Sequence, residues 1–432
     1  MDSAPIRSYE RSLALFDEAV ALIPGGSQTN SKRPSAFAHG AYPIYFESGQ
    51  GGRITDIDGN EFIDLVGGLG PLALGYRHPV VDDAIRKQLD RGIISGLLSP
   101  LEVDVARLLR ELVPCAEMVR YFKGGGEATA AAARVARRFT GRPIILNCGY
   151  RGWPDTWTVA NNDGGIPAGA EYALQTFPFN ERERLEALVA SHPGHVAAIV
   201  IDIQLTQPEP GYLAWLRDLA HEIGALLVFD EIVTGFRLAN GGAQELFGVT
   251  PDLAVFAKGI ANGMPLAVLA GRSEPMAAMT DAAISITYGG EALSLAAAKA
   301  TLEIYRDEPV IATLWQRGKQ LREGLELAAA GARLPFQVIG FDPMTGMQFT
   351  DLDAATEADA WSYLLQEFAT RGVLLRRGGL NFVSYSHTES DIKQAIVVAD
   401  EVFPKLAVLL QTGSIQEQLR TRSTASTYRT FR

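Results

Sequence analysis

Three short stretches carry side chains able to do covalent or phosphate chemistry. Lys123-Gly124-Gly125-Gly126-Glu127 stands between an apolar strand signal and an Ala-rich helix signal. Glycines let the backbone pass close to a ligand, and a helix start offers free N–H groups and a positive dipole end. The stretch reads as a phosphate cradle or as a tight strand-to-helix turn. It has neither the GK[ST] ending of a Walker loop nor GxGxxG spacing. Asp230 follows the apolar run Ala225–Phe229, at the carboxyl end of a strand, where α/β sheets hold ligands. A buried carboxylate there needs a partner: a protonated ring nitrogen, a helix start or an ion pair. Lys258 follows a second apolar run, Leu253–Ala257, and precedes Gly259 and Gly263. An amine held against an apolar wall has its pKa pushed down and can form a Schiff base. Taken singly, it also reads as a solvated loop lysine.

The elements that must position these residues are legible as alternating patterns. Strand signals at Met118–Phe122, Ile144–Leu146, Ala197–Ile203, Ala225–Phe229 and Leu253–Ala257 alternate with helix signals at Val103–Leu112, Glu127–Phe139 and Leu213–His221. Short continuous apolar runs between helices predict a mostly parallel sheet covered on both faces, an α/β fold. Upstream, Leu13, Phe16, Val20 and Ile23 space out one amphipathic helix that Pro24 stops, and Asp58-Gly59-Asn60 marks a turn between two short strands. From about Glu308 the character changes. Helices over Ile311–Ala329, Glu357–Thr370 and Asp391–Leu409 bracket strands at Gly346–Thr350 and Gly372–Leu375, a smaller α+β domain. The expected organisation is 1–75 joining the small domain, 76–307 as the large domain, 308–415 as the small domain, and 416–432 as a disordered tail.

Composition narrows the class. The 432 residues carry 39 Lys+Arg against 50 Asp+Glu, a net charge of −11, which speaks against nucleic acid as partner. No apolar run approaches a membrane span, and the first residues lack the apolar core of a signal peptide. Two cysteines, Cys115 and Cys148, suit a reducing compartment. A cytoplasmic enzyme is expected. Six scattered histidines with no HExxH or CxxC pair predict no metal site.

Together the three stretches meet the needs of one cofactor. Pyridoxal phosphate has a phosphate, a ring nitrogen that wants an anion and an aldehyde that wants a lysine. Over nearly its whole length the chain also resembles the class III aminotransferases of fold type I, near glutamate-1-semialdehyde aminomutase. The resemblance is carried by Ile23-Pro24-Gly25-Gly26, Asp56-Ile57-Asp58-Gly59-Asn60, Gly126-Glu127-Ala128-Thr129, Gly149-Tyr150-Arg151-Gly152, Phe229-Asp230-Glu231-Ile232-Val233-Thr234-Gly235-Phe236-Arg237, Phe247-Gly248-Val249-Thr250-Pro251-Asp252 and Lys258. It implies that Lys258 is the Schiff-base lysine and proton shuttle, that Asp230 holds the ring nitrogen protonated, and that Ile232 and Tyr150 take the two ring faces. It further implies phosphate on the Gly125 and Gly126 amides, and Thr287 reaching the phosphate of the other subunit in a homodimer with shared sites.

The chain departs from the family where substrate is read. The family's Asn-Ser-Gly-Thr cradle is Lys123-Gly124-Gly125-Gly126 here, Tyr-His-Gly is Tyr150-Arg151-Gly152, and a Glu-Pro pair is Asp202-Ile203. An active-site Trp aligns with Leu69, a C-terminal Glu with Gly379, and the loop between Trp153 and Phe177 is shorter. Thr287-Tyr288-Gly289-Gly290-Glu291, Trp153, Trp157, Asp202 and Gly26-Ser27-Gln28-Thr29 are similar to the amino-sugar and aminoglycoside-pathway subgroup. Ser27, Gln28 and Asn30 are therefore expected to meet hydroxyls, Glu291 a cationic amine, and Arg376 with Arg377 a donor carboxylate. Each is otherwise an ordinary loop or strand-end residue. The leading expectation is amino transfer to a carbonyl on a hydroxylated small molecule. Isomerisation, epimerisation or elimination uses the same lysine, and a non-catalytic cofactor-binding domain or a nicotinamide dehydrogenase is disfavoured by Lys258 and by the missing GxGxxG.

Overall fold

The computed structural model describes residues 7–158 and 165–421. The chain divides into two compact units, Pro79–Ile311 and the combination of Met1–His78 with Ala312–Arg432.

The larger unit is built on a sheet of seven strands: β1 (Met118–Phe122), β2 (Ile144–Cys148), β3 (Leu174–Thr176), β4 (Val196–Asp202), β5 (Leu226–Asp230), β6 (Leu253–Phe256) and β7 (Ala267–Gly271). Their order is β1-β7-β6-β5-β4-β2-β3. Only β7 runs antiparallel to its neighbours β1 and β6. In β4 every residue but Asp202 is buried, and β2, β5, β6 and β7 are buried throughout. That is why these strands read as unbroken Val/Ile/Leu/Ala runs. The strands β3 and β7 were not expected. The first is a three-residue edge, and the apolar run of the second carries no periodicity that separates strand from buried helix.

The helix Gly125–Thr140 lies on this sheet through Ala128, Ala131, Ala132, Val135 and Ala136, all buried with Val200, Val228 and Val255 in one core. Alanines bring the helix axis close to the strands, which seats its N-terminus at the sheet edge. Gly141 ends it with φ 70°. The helix Pro100–Leu112 starts earlier than its apolar spacing suggested. Ser99 and Glu102 form a reciprocal capping box with Pro100 in the first turn.

The smaller unit joins distant parts of the chain. Val373–Leu374 pairs parallel with Glu61–Asp64, extending the antiparallel strands Phe46–Gln50, Arg53–Asp56 and Glu61–Asp64. Phe336–Phe341, Met344–Phe349 and Asn381–Phe382 form a second, antiparallel sheet, of which Phe336–Phe341 and Asn381–Phe382 were not expected. Aromatic rings fill its core, with Phe336 5.1 Å from Phe403 and Phe349 5.3 Å from Trp361 between ring centroids. The N-terminal helix spans Glu10–Leu22. Its deepest positions are Ser12 and Ala19, while Val20 of the expected apolar stripe is 53% exposed. Ser12 is buried because Asp58 caps this helix start, accepting the amides of Arg11 and Ser12 and the Ser12 hydroxyl.

The chain around the start of the expected tail makes contacts of its own. Ile415–Gln418 form a 3-10 turn, and Arg420 donates to Gln366 and Thr370 and pairs with Glu367 at 2.9 Å. Residues 422–432 lie outside the described residues, as do residues 159–164 of the shortened loop. Among the described residues no helix is long and apolar enough to cross a membrane.

Candidate active site

Asp230 ends β5, and the register sets it beside Asp202 at the end of β4 and Val255 in β6. Its side chain is almost fully buried. Oδ1 accepts the Ile232 amide at 3.0 Å, and Oδ2 lies 3.4 Å from Arg151 Nη1. Burial pushes the Asp230 carboxyl up to about 6, with Asp202 adding to the rise and Arg151, the Ile232 amide and Lys258 opposing it. Glu231, the next residue, faces the other way and serves structure. Its buried carboxylate accepts Thr234 Oγ1 and the amides of Ala243 and Gln244, fixing the start of the helix Ala243–Phe247.

The glycine stretch opens the helix Gly125–Thr140. Glu127 Oε2 accepts the amides of Lys123 and Gly124 at 3.1 and 2.9 Å. The Gly124 carbonyl takes Glu127 and Ala128, so the Gly125 and Gly126 amides lie ahead of the helical ladder. A side chain at Gly125 would come within 2.6 Å of Ile232 Cδ1, and one at Gly126 within 3.3 Å of Pro154. Ile232 thus leaves no room for a side chain at Gly125, the fit at Gly126 is tight, and Ile232 borders the cradle directly.

The loop after β2 closes the same region. Gly149 has φ 96°, and a Cβ there would sit 1.7 Å from Asp202 Oδ1. Tyr150 is 38% exposed, whereas the Arg151 side chain is fully enclosed. Thr129 Oγ1 donates to the carbonyls of Gly126 and Arg151, tying this loop to the cradle.

Lys258 stands just past β6, opening a 3-10 turn over Lys258–Ala261. Its φ is 50°, a left-handed conformation that few lysines adopt. The structure thus brings Gly125, Gly126, Tyr150, Asp230, Ile232 and Lys258 to the carboxyl edge of one sheet. Thr287 is exposed on the loop before the helix Ala292–Asp307. It lines a cleft of about 720 Å³ with Ile94, Leu97, Leu98 and Tyr121, a cleft that neither Lys258 nor Asp230 lines.

Several expected substrate contacts have other partners. Glu291 caps the helix Ala292–Asp307, accepting Leu293 N, Ser294 N and Ser294 Oγ, and it pairs with Lys123 Nζ at 2.9 Å. The cation it meets is this chain's own lysine. Asp202 accepts Gln204 Nε2 at 2.6 Å and pairs with Arg151 at 3.3 Å. Trp157 is in the core, and Trp153 is exposed. Ser27 Oγ donates to the Thr29 carbonyl in its own turn. Ser27, Gln28, Arg376 and Arg377 belong to the smaller unit. In the sequence Arg151 lies in a stretch that resembles the family and departs from it at this one position, and no role follows for it there. The signal that could have found it is a lone cation flanked by glycines after a buried strand, with Asp202 and Asp230 ending the next two strands.

A glycine cradle, a buried strand-end carboxylate and a lysine one strand away define a fold type I, pyridoxal phosphate-dependent transferase. The comparisons carry this further. Residues 35–396 match the family described as aminotransferase class-III. A 3-aminobutyryl-CoA aminotransferase of Cloacimonas acidaminovorans is 35% identical over 93% of this chain and 98% of its own length. A glutamate-1-semialdehyde 2,1-aminomutase of Syntrophobacter fumaroxidans is 35% identical over 93% and 99%. Among solved structures, the PLP form of the FumI protein of Sphingopyxis sp. MTA144 superposes with a TM-score of 0.87 at 26% identity, covering 96% of this chain and 99% of that one. The chain belongs to the class-III aminotransferases, and its cofactor is pyridoxal 5′-phosphate.

Proposed function

We propose that the chain moves an amino group between an amino donor and a carbonyl carbon on a hydroxylated small molecule, such as an amino-sugar or secondary-metabolite intermediate. The observation that carries the amino-transfer chemistry is the buried Asp230 at the end of β5, with Lys258 past the end of the adjacent β6 and the open Gly125–Gly126 amides bordered by Ile232. The hydroxylated substrate rests on the sequence similarity of Gly26-Ser27-Gln28-Thr29 and of Thr287–Glu291 to the amino-sugar subgroup. When bound, pyridoxal phosphate supplies an aldehyde that takes up the amino group and a ring that accepts an electron pair when a C–H bond opens.

The chain's own groups do the rest. Lys258 Nζ would hold the cofactor's aldehyde group and would take and return a proton during amino transfer. Asp230 holds a proton on the ring nitrogen through a charge-assisted hydrogen bond. The Gly125 and Gly126 amides bind the phosphate at a helix N-terminus. Ile232 and Tyr150 would flank the ring and exclude water. Thr287 completes the phosphate site of a second copy. Exposed Ile94, Leu97 and Leu98, the last 89% exposed, border Thr287 and support an apolar homodimer contact there. Free, buried Cys115 and Cys148 suit a cytoplasmic setting.

A second reading, isomerisation of an amino aldehyde, epimerisation or elimination with the same Lys258, is favoured by the 35% identity to an aminomutase. A screen of donors and acceptors on purified protein separates the two. Net transfer predicts that a donor alone converts the cofactor from its aldehyde to its amine absorbance and that an acceptor reverses it. Product formed from one substrate with no second substrate required would establish the other reading.

A further inference from the structure

Asp230, Asp202 and the residues after Cys148 stand at the carboxyl ends of three adjacent strands, β5, β4 and β2. Parallel neighbours put the first two carboxylates side by side, both largely out of water. Two such charges cannot both persist unaided, since burial and mutual repulsion would protonate one of them. The structure places one cation between them. Arg151 Nη1 lies 3.3 Å from Asp202 Oδ2 and 3.4 Å from Asp230 Oδ2. The guanidinium is fixed further by donation from Nη2 to the Cys148 carbonyl and from Nη1 to the Tyr150 carbonyl at 2.9 Å. Its Nε is buried without a hydrogen-bond partner, so the carboxylates and carbonyls determine where it sits. Lys258 is a further charge felt at Asp230, and the Cys148 thiol beside Asp202 is pushed up to about 12 by burial and stays neutral.

We propose that Arg151 is a positioning residue: it keeps Asp202 and Asp230 charged together, and so holds the Asp230 carboxylate ready for the cofactor's ring nitrogen. This rests on the reading that Asp230 faces that nitrogen. A guanidinium does not titrate in proteins, so the arrangement holds across the neutral range. Asp202, held in turn by Gln204 at 2.6 Å, anchors the arginine and balances its charge. The row of three carries one net negative charge, which a protonated ring nitrogen neutralises. Arg151 also ties Asp230 to the Tyr150 backbone, linking the two parts of the site expected to meet the ring edge and one ring face.

The test is nitrogen NMR of holoenzyme rebuilt with ring-labelled pyridoxal phosphate, together with cofactor retention on dialysis. Wild type should show a protonated ring nitrogen at neutral pH. Arg151→Met should lose that signature and retain cofactor about tenfold or more less tightly, in the range of other outer-shell positioning groups. Arg151→Met with Asp202→Asn removes the cation and the competing carboxylate together, and should recover protonation. A folded Arg151→Met that keeps the wild-type signature and retention overturns the proposal, as does a double variant no better than the single. Should Arg151→Met not fold, Arg151→Lys decides. It keeps one cation, so protonation should survive with weaker retention, and its loss overturns the proposal. Asp230→Asn separates the two levels. If it leaves the nitrogen protonated, the assignment of Asp230 fails. If it strips the proton and Arg151→Met does not, only the role of Arg151 fails.

Discussion

At the residue scale, the chemistry rests on charges placed where water is scarce. In the cofactor-free chain the Asp230 carboxyl is pushed up to about 6 by burial. Above that value it is ionised and able to pair with a protonated ring; below it a proton competes for the same oxygen. Cofactor retention should therefore weaken as pH falls through about 6, read by dialysis and absorbance. Asp230→Asn should retain cofactor poorly at every pH, with that step gone. A wild-type retention curve flat through this range would show that Asp230 does not govern binding. Lys258 is held at φ 50° just past β6. Lys258→Ala should lower turnover by about a hundredfold or more, the scale of a lost proton-transfer group, while the melting curve changes little. Turnover near wild type would remove Lys258 from the chemistry.

At the element scale, glycines decide how closely the loops and the cradle approach the sheet edge. Gly141 and Gly149 both have positive φ, 70° and 96°, but nothing lies within 4 Å of a Cβ at Gly141, while one at Gly149 meets Asp202. Gly141→Ala should cost only the left-handed backbone penalty, about 1–2 kcal/mol. Gly149→Ala adds a collision that must move Asp202, and with it Arg151. It should lower the melting temperature more than Gly141→Ala and also loosen the cofactor. Equal effects of the two substitutions would mean that the loop is free to shift. The same packing logic explains Gly125, where Ile232 occupies the space a methyl would need.

At the scale of the whole molecule, the proposed homodimer is the element the single chain leaves open. Leu97 and Leu98 are 84% and 89% exposed beside Thr287, more apolar surface than a loop in water favours. If Thr287 serves the phosphate of the partner, sites are built from two chains related by a two-fold axis. Chains carrying Lys258→Ala mixed with chains carrying Thr287→Arg should then regain activity, because one site of each mixed dimer receives both lesions and the other neither. Mixed dimers that form, shown by mass, yet stay inactive would refute shared sites, as would a fully active monomer by light scattering.

The sequence by itself determined the elements and the chemical class. The runs now seen as β4, β5 and β6 are buried on both faces, so their composition is close to uniform and their ends are sharp, which made Asp230 and Lys258 visible as polar residues at strand ends. The Ala-rich helix and its glycines were equally legible, since a close helix-to-sheet approach and a cradle each demand small residues over several positions. Strand direction was not legible, because the apolar run of β7 is the same read either way. Nor were the partners of charged side chains. For Glu291 and Asp202, local sequence shows a carboxylate but not what stands opposite it. Only the tertiary structure gave Glu291 the start of its own helix and Lys123, and set Arg151 between Asp202 and Asp230. These three residues are far apart along the chain, and hydrogen-bonded register across three strands is what brings their charges within reach.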